Sequence, residues 1–226
     1  MNVVRTLTEQ LLYSKELFHA ASLVSGLAMF QVILLTLMGA NNGSREIAKE
    51  RGVLDKERRA GLSSGAYMAV KFAQVAMFSA FQAFWMTWFV KSVCGFSGSL
   101  LVQAAVFFGA TFAMSATCLA ISARSPTAER ASLMAIYLVG LQLPLSGAVL
   151  ALPEVINWVT RPFISAYWGW SGYLKSLETF RQYDIVKQAT DTHIASLSGV
   201  FVTLTLHVIV GFIAAYFFVS RRRQRL

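Results

Sequence analysis

Side chains whose types and spacing could do chemistry are concentrated in residues 41–64, in the charged runs 45–52 and 55–61. Glu46 and Lys49 are three positions apart, so a helix would place their opposite charges side by side. Gly52 and Gly61 are suited to end helical pieces, and we predict a helix, a turn and a second short helix. Such a mixed-charge surface either fixes membrane topology as a solvated loop or orients a partner protein.

Other reactive side chains are scattered. His19, His193 and His207 are far apart in the sequence, and Cys94 and Cys118 have no histidine at metal-ligand spacing. The chain contains no recognisable nucleophile motif. An intramembrane enzyme is therefore disfavoured, and we expect neither a metal site nor a cofactor in this chain.

The composition predicts a membrane protein. The chain has 226 residues, of which 56% are hydrophobic and 14% charged, and its mean hydropathy is +0.55. Soluble domains are about 25% charged, so this chain lacks the polar residues needed to cover a compact core. Disorder and nucleic-acid binding are excluded on the same ground, and membrane lipid is the expected surrounding.

Five stretches are long enough to cross a bilayer as helices, which takes about 20 apolar residues. We therefore predict an all-α polytopic membrane protein with five transmembrane helices in a single domain, residues 1–226. Lys71 is the only Lys or Arg within the spans, and we expect its ammonium to reach the headgroups. The predicted spans are 17–39, 66–90, 98–122, 131–152 and 199–220.

The connections place most Lys and Arg residues on one side, which holds loop 40–65 and the C-terminus. Because positive residues accumulate on the cytoplasmic side, the C-terminus is predicted to be cytoplasmic. Most of the net charge of +9 then reports topology rather than an acidic ligand. An odd number of spans then puts residues 1–16 on the outer side.

Polar residues inside the spans should face protein or a cavity rather than lipid. They either join helices by hydrogen bonds or line a substrate pathway. Small residues at Gly109, Ala113 and Ala116 would let helices approach closely. The polar positions are Gln31, Gln74, Gln82, Gln103, Gln142 and His207.

The outer loop, residues 153–198, is longer than a structureless connection usually is. Its first half is crowded with aromatic residues, including Trp158, Phe163, Tyr167 and Trp170. These residues are typical of an interfacial aromatic belt. The alternative, a re-entrant segment, comes from the resemblance described next.

Two segments resemble the permeases of type-2 ABC exporters, especially the G-subfamily (white-like) and its bacterial relatives. The first is Gly39 to Arg51, followed by residues 57–63 and by Tyr67 and Lys71 at the start of the next span. The second spans residues 109–153, where a small-residue helix, a Ser-rich inner loop and a helix interrupted by Pro144 follow one another. Together these segments place most of residues 17–220 within the family pattern.

The resemblance implies that loop 40–65 is a cytoplasmic coupling segment that contacts a partner ABC ATPase. It also implies a bacterial inner-membrane location and a homodimer or heterodimer of permeases. The polar span residues that could line its substrate pathway are Gln31, Gln74, Gln103, Gln142 and His207. ATP and Mg²⁺ would be bound by the ATPase. The implied contact residues are Arg45, Glu46, Lys49, Glu50, Glu57 and Arg58.

The chain departs from the family in two respects. The family has six spans, and alignment by the charged loop leaves its first span unrepresented. The sequence also has no GxxxxGK[ST] run to bind nucleotide phosphates, so an ATPase is expected elsewhere. The alternative to an ATP-driven exporter is a non-transporting membrane assembly subunit or a passive pore.

Overall fold

The computed structural model describes residues 2–146, 153–190 and 192–221, and its elements there are helices. The prediction of an all-α protein is confirmed. A 3-10 helix, Arg161–Phe163, joins α7 to α8. The α-helices are α1 (Asn2–Ser44), α2 (Glu46–Lys49), α3 (Arg51–Arg59), α4 (Ser64–Cys94), α5 (Leu100–Arg124), α6 (Ala128–Leu145), α7 (Glu154–Thr160), α8 (Ser165–Lys175), α9 (Arg181–Ala189) and α10 (Leu197–Arg221).

Each of the five predicted spans overlaps one helix, in chain order α1, α4, α5, α6 and α10. Among the described residues, three segments are long and apolar enough to cross a membrane, namely Phe18–Lys49, Leu100–Arg124 and Leu197–Arg221. The helix over span 131–152 has 18 described residues, and positions 147–152 lie outside the described residues. Residues 2–16, which are expected on the outer side, are helical and continue α1.

The polar residues of helix α4 point into the bundle, and several of its large apolar residues point outward. Lys71, Ser79 and Thr87 are buried, whereas Phe81 and Trp85 are exposed. A polar interior and an apolar surface are the pattern expected of a helix that faces lipid or another apolar surface.

Helix α5 is the centre of the bundle and packs against α1, α4, α6, α8 and α10. Gly39 and Gly43 of α1 approach its backbone so closely that a Cβ atom would lie 2.4 Å from the Thr111 carbonyl oxygen and 2.3 Å from that of Ser115, respectively. On the opposite side, Gly211 of α10 meets the Ala116 backbone. The close approach predicted at Ala116 is therefore confirmed.

The bundle has two distinct ends. We call the end that carries α2 and α3 the inner end, and the end that carries α7, α8 and α9 the outer end. At the inner end Ile47 and Leu54 insert into a cluster with Tyr67, Met68 and Leu119. The segment α2–α3 is therefore anchored in the bundle rather than suspended beneath it.

Helix α8 enters the bundle from the outer end. Its residue Gly169 packs against Ala110, which lies about 15 Å along α5 from Leu100. At its start, Gln142 Oε1 of α6 accepts hydrogen bonds from the Ala166 backbone N–H at 3.0 Å and from the Ser165 hydroxyl at 3.3 Å. The predicted re-entrant segment is thus α8 together with the 3-10 helix that leads into it.

The aromatic residues of the outer loop lie in two different environments. Tyr167, Trp170 and Tyr173 are buried in the core of the bundle, whereas Trp158 is 80% exposed and Phe163 is 75% exposed. A belt alone would leave all of them at the surface. Burial in the bundle therefore favours the re-entrant alternative for α8, whereas an interfacial belt formed by the exposed rings of α7 and the 3-10 helix stays a prediction.

Candidate functional site

A buried lysine joins α4 to the charged segment at the inner end. The Lys71 Nζ atom lies 2.7 Å from Glu50 Oε1 and 3.2 Å from Glu46 Oε2. The Tyr67 hydroxyl donates to Glu50 Oε2 at 3.2 Å, and the Gln74 amide donates to Glu46 Oε2 at 3.4 Å. We call these five residues the Lys71 clamp.

The clamp corrects the prediction that Lys71 reaches the lipid headgroups. The side chain of Lys71 is only 8% exposed. An ammonium removed from water needs compensating negative charge, and two carboxylates provide it here. Glu46 and Glu50 are four positions apart, which was the available signal that both could reach one cation.

A serine of α5 holds the beginning of α2. The Ser122 hydroxyl oxygen accepts hydrogen bonds from the backbone N–H groups of Ile47 at 3.1 Å and Ala48 at 3.0 Å. These first-turn donors have no partner within their own helix. Arg51 adds a contact at the start of α3, because its Nη1 atom donates to the Pro126 carbonyl oxygen at 2.8 Å. The segment is thus bonded to α5 as well as to α4.

The boundary between α2 and α3 falls at Glu50 rather than at Gly52 as predicted. Glu50 is held by Lys71, and its carbonyl oxygen accepts the Leu54 N–H at 2.8 Å, so the second helix begins before Gly52. Gly61 does follow the end of α3, with φ of +105°. Tertiary contacts of Glu50 therefore decide where α3 begins, whereas the local sequence at Gly61 decides where it ends.

Replacing Ser122 with alanine is expected to loosen α2 without unfolding the bundle. The variant leaves two buried N–H groups without their acceptor, at a cost of about 1–2 kcal/mol. Hydrogen–deuterium exchange of peptides covering residues 45–60 should accelerate roughly tenfold. The matched control is Ser125→Ala, whose hydroxyl donates to the Ile121 carbonyl within α5. Equal exchange in both variants would contradict a role for Ser122 in holding α2.

The six predicted contact residues divide into two groups. Glu46 and Glu50 face inward to Lys71, with side chains 15% and 36% exposed. Arg45 Nε donates to the Ser132 hydroxyl of α6 at 2.6 Å, and Arg58 Nη2 donates to the Ser64 hydroxyl at 3.0 Å. Lys49, at 53% side-chain exposure, and Glu57 face outward. The segment therefore has a bonded inner face and a charged outer face.

Sequence reasoning did not assign roles to Ser122, Tyr67, Arg51 or Lys71 in this site. The signal for Lys71 was its position as the only cation within the spans, since such a residue usually pairs with carboxylates. No pattern in the sequence identified Ser122, because a serine at a helix end is common and its partners lie about 75 positions earlier in the chain.

The polar residues within the spans join neighbouring elements at several levels of the bundle. Asn42 and Gln82 exchange hydrogen bonds between α1 and α4 at 2.9 and 3.3 Å. Gln103 donates to the Ser97 carbonyl oxygen at 2.8 Å, and His207 Nε2 lies 2.6 Å from the carbonyl oxygen of Pro162.

Two further glutamines make contacts of different kinds. Gln142 is the residue of α6 that binds the start of α8. Gln31 donates at 3.4 Å within its own helix, to the Leu27 carbonyl oxygen. Most of these contacts favour the interpretation that the polar residues hold the bundle together. A role in a substrate pathway stays a prediction.

The fold and this site define a class of protein: an all-helical integral membrane protein with a charged helical segment bonded to one end of its bundle and a re-entrant helix at the other. Residues 2–177 match the family model for the ABC-2 type transporter. The chain therefore belongs to the ABC-2 type transporter family, and the resemblance to type-2 ABC permeases is confirmed. No curated protein matches the chain.

Membership makes the chain a membrane-embedded permease component of an ABC transporter, which is not itself catalytic. The matched residues run from α1 to the early turn after α8. They include the Lys71 clamp, Ser122 and the re-entrant helix. Permease domains of this family work with an ATPase partner in general.

Proposed function

We propose that this chain is the permease subunit of an ATP-driven exporter and that α2–α3 is its coupling segment. The observation that carries the proposal is the two-sided character of this segment. Lys49 and Glu57 point away from the bundle, whereas Glu46, Glu50 and the backbone of Ile47 are bonded to α4 and α5. Force applied to the outer face would therefore be transmitted to two membrane helices.

In this proposal the inner end is cytoplasmic, where the ATPase holds ATP and Mg²⁺. Arg45, Glu46, Lys49, Glu50, Glu57 and Arg58 form the coupling region, of which the outward side chains contact the ATPase directly. The C-terminus is on the same side, and the membrane is the bacterial inner membrane. Excess Lys and Arg at this end supports the orientation.

The substrate pathway is proposed to form between two permeases, either two copies of this chain or this chain and a related one. Helix α5 fills the middle of a single bundle, where Gly39 and Gly43 bring α1 against its backbone. A passage therefore has to lie along a face of the bundle. Of the candidate lining residues, Gln74 and His207 are partly exposed, whereas Gln31, Gln103 and Gln142 are buried within the single bundle and would need the helices to part.

The proposal is tested by exchanging charges on the outer face. In the complex purified through a tag on this chain and placed in nanodiscs, Lys49→Glu together with Glu57→Lys keeps the net charge but inverts its pattern. Like-charge contacts should weaken association with the ATPase at least about tenfold. ATP hydrolysis by the complex and the amount of co-purified ATPase are both measured.

The matched control is Glu129→Lys at the exposed start of α6. Hydrogen bonds from its own backbone N–H and from Thr127 lower the pKa of Glu129, so the control is a full charge reversal at neutral pH. It should leave association and hydrolysis unchanged. If the double variant also leaves them unchanged while retaining its melting temperature, α2–α3 is not the coupling segment. If no ATPase co-purifies even with the unmodified chain, the assembly-subunit or passive-pore alternative is favoured.

A further inference from the structure

An apolar cavity of about 580 Å³ opens at the outer end of the bundle. It lies between α7, the 3-10 helix and α8, and it has no part in the proposed coupling. His193 and Ala195 also line it. Its main lining residues are Trp158, Val159, Pro162, Phe163, Tyr167 and Trp168.

Arg161 is the cation of this cavity. Its guanidinium lies 5.2 Å from the centre of the Tyr167 ring, and its Nε atom is buried without a hydrogen-bond partner in the described part of the chain. The lining residues include no carboxylate, and the ion pairs found among the described residues do not involve Arg161. A positive charge in an apolar cavity favours an anionic ligand.

The backbone around Arg161 is fixed rather than loosely attached. The Trp168 indole N–H donates to the Arg161 carbonyl oxygen at 2.8 Å. His207 lies 2.6 Å from the next carbonyl, that of Pro162. The backbone that carries the cation is thus held against α8 and α10, which lowers the cost of ordering this segment around a ligand.

The depth of the cavity identifies the medium that it faces. His207 is about ten residues from the start of α10, which corresponds to about 15 Å of helix, so the 3-10 helix is at the depth of lipid tails. Trp158 and Phe163 expose apolar surface there. Arginine can extend from this depth toward the headgroups.

We propose that this cavity binds one phospholipid of the leaflet at the outer end, with its phosphate at the Arg161 guanidinium and an acyl chain along Trp158, Phe163 and Trp168. Charge complementarity and the apolar, membrane-level walls select this ligand. The site would hold the re-entrant segment in place against the bilayer. It does not depend on ATP coupling.

The test uses the full-length chain in phosphatidylcholine nanodiscs that contain a small fraction of phosphatidylglycerol with a photoreactive acyl chain. Labelled peptides are identified by mass spectrometry after illumination. We expect labelling within residues 155–168, reduced about tenfold by Arg161→Gln because a charge-assisted hydrogen bond is lost. Lys187→Gln removes another cation of the outer loop and should leave labelling unchanged.

Three results would overturn the proposal. Undiminished labelling in Arg161→Gln would remove the phosphate contact. Equal labelling by a photoreactive diacylglycerol, which has no phosphate, would do the same. Full competition by glycerol phosphate without acyl chains would indicate a headgroup or free-phosphate site instead. Phe163→Ser tests the acyl-chain contact separately from the phosphate contact. It should reduce labelling although Arg161 is retained.

Discussion

Lys71→Met is expected to lower the free energy of unfolding by about 3 kcal/mol, since removal of one member of a buried ion pair costs about 3–5 kcal/mol. The lower part of that range applies because the Glu50 side chain is 36% exposed and water can reach part of it. In the variant, Glu50 would remain against α4 without its counterion, and Glu46 would keep only the more exposed Lys49 as a cationic partner. The measurement is unfolding by sodium dodecyl sulfate in mixed micelles.

The same experiment has an internal rescue. Adding Glu46→Gln and Glu50→Gln to Lys71→Met removes the uncompensated charge, and replacement of a whole buried ionic group is often nearly neutral. The Tyr67 hydroxyl and the Gln74 amide, which donate to these carboxylates, can donate to amide oxygens as well. Most of the lost stability should therefore return in the triple variant.

Lys49→Met is the matched control for Lys71→Met. Lys49 pairs with Glu46 at 2.9 Å, but its side chain is 53% exposed, and exposed pairs contribute about 1 kcal/mol or less. A loss similar to that of Lys71→Met would mean that burial of the lysine is not what makes the clamp stabilising. Failure of the triple variant to recover would mean that packing, rather than charge, is responsible.

Gly43→Ala is expected to destabilise the bundle by about 3 kcal/mol, at the upper end of the cost of overpacking a core. The added Cβ would lie 2.3 Å from the Ser115 carbonyl oxygen and 2.9 Å from the Leu119 backbone nitrogen. Both are backbone atoms of α5, so no side chain can rotate to make room. Helix α1 would have to move away from the centre of the bundle.

Gly26→Ala, in the same helix, separates this packing effect from helix propensity. Nothing lies within 4 Å of a Cβ at Gly26, and alanine is favoured over glycine in a helix by about 1 kcal/mol. This control should be neutral or stabilising in the same detergent unfolding measurement. If Gly43→Ala behaved like Gly26→Ala, the close contact between α1 and α5 would be refuted.

Helix α4 illustrates which parts of the fold could be predicted. Its extent was predictable from a long run without Asp or Glu, because lipid requires every backbone group to be satisfied within the helix. The inward direction of Lys71 was not predictable in the same way. Snorkelling and pairing are both open to a lysine near a helix end, and the choice depends on whether carboxylates from another element come within reach.

The outer loop shows the same division. Aromatic residues in 153–198 were consistent with an interfacial belt and with a re-entrant segment, and the structure places some of them inside the bundle and others on its surface. Tyr167 and Trp158 are similar in amphipathic character, but one is buried and the other is exposed. Their environments depend on where Gln142 places the start of α8, which is a contact between distant parts of the chain.

The sequence by itself determined the all-helical membrane class and the positions of the long helices, because the bilayer requires runs of apolar residues that are visible in short stretches of sequence. The family was also predictable, from the local motifs in residues 39–71 and 109–153. It also located the charged segment. The tertiary structure decided which charges turn inward to Lys71 and which remain outside, why Gly39 and Gly43 are glycine, and how the 3-10 helix and α8 surround Arg161. These depend on atoms that are distant in the chain and meet only when the helices pack.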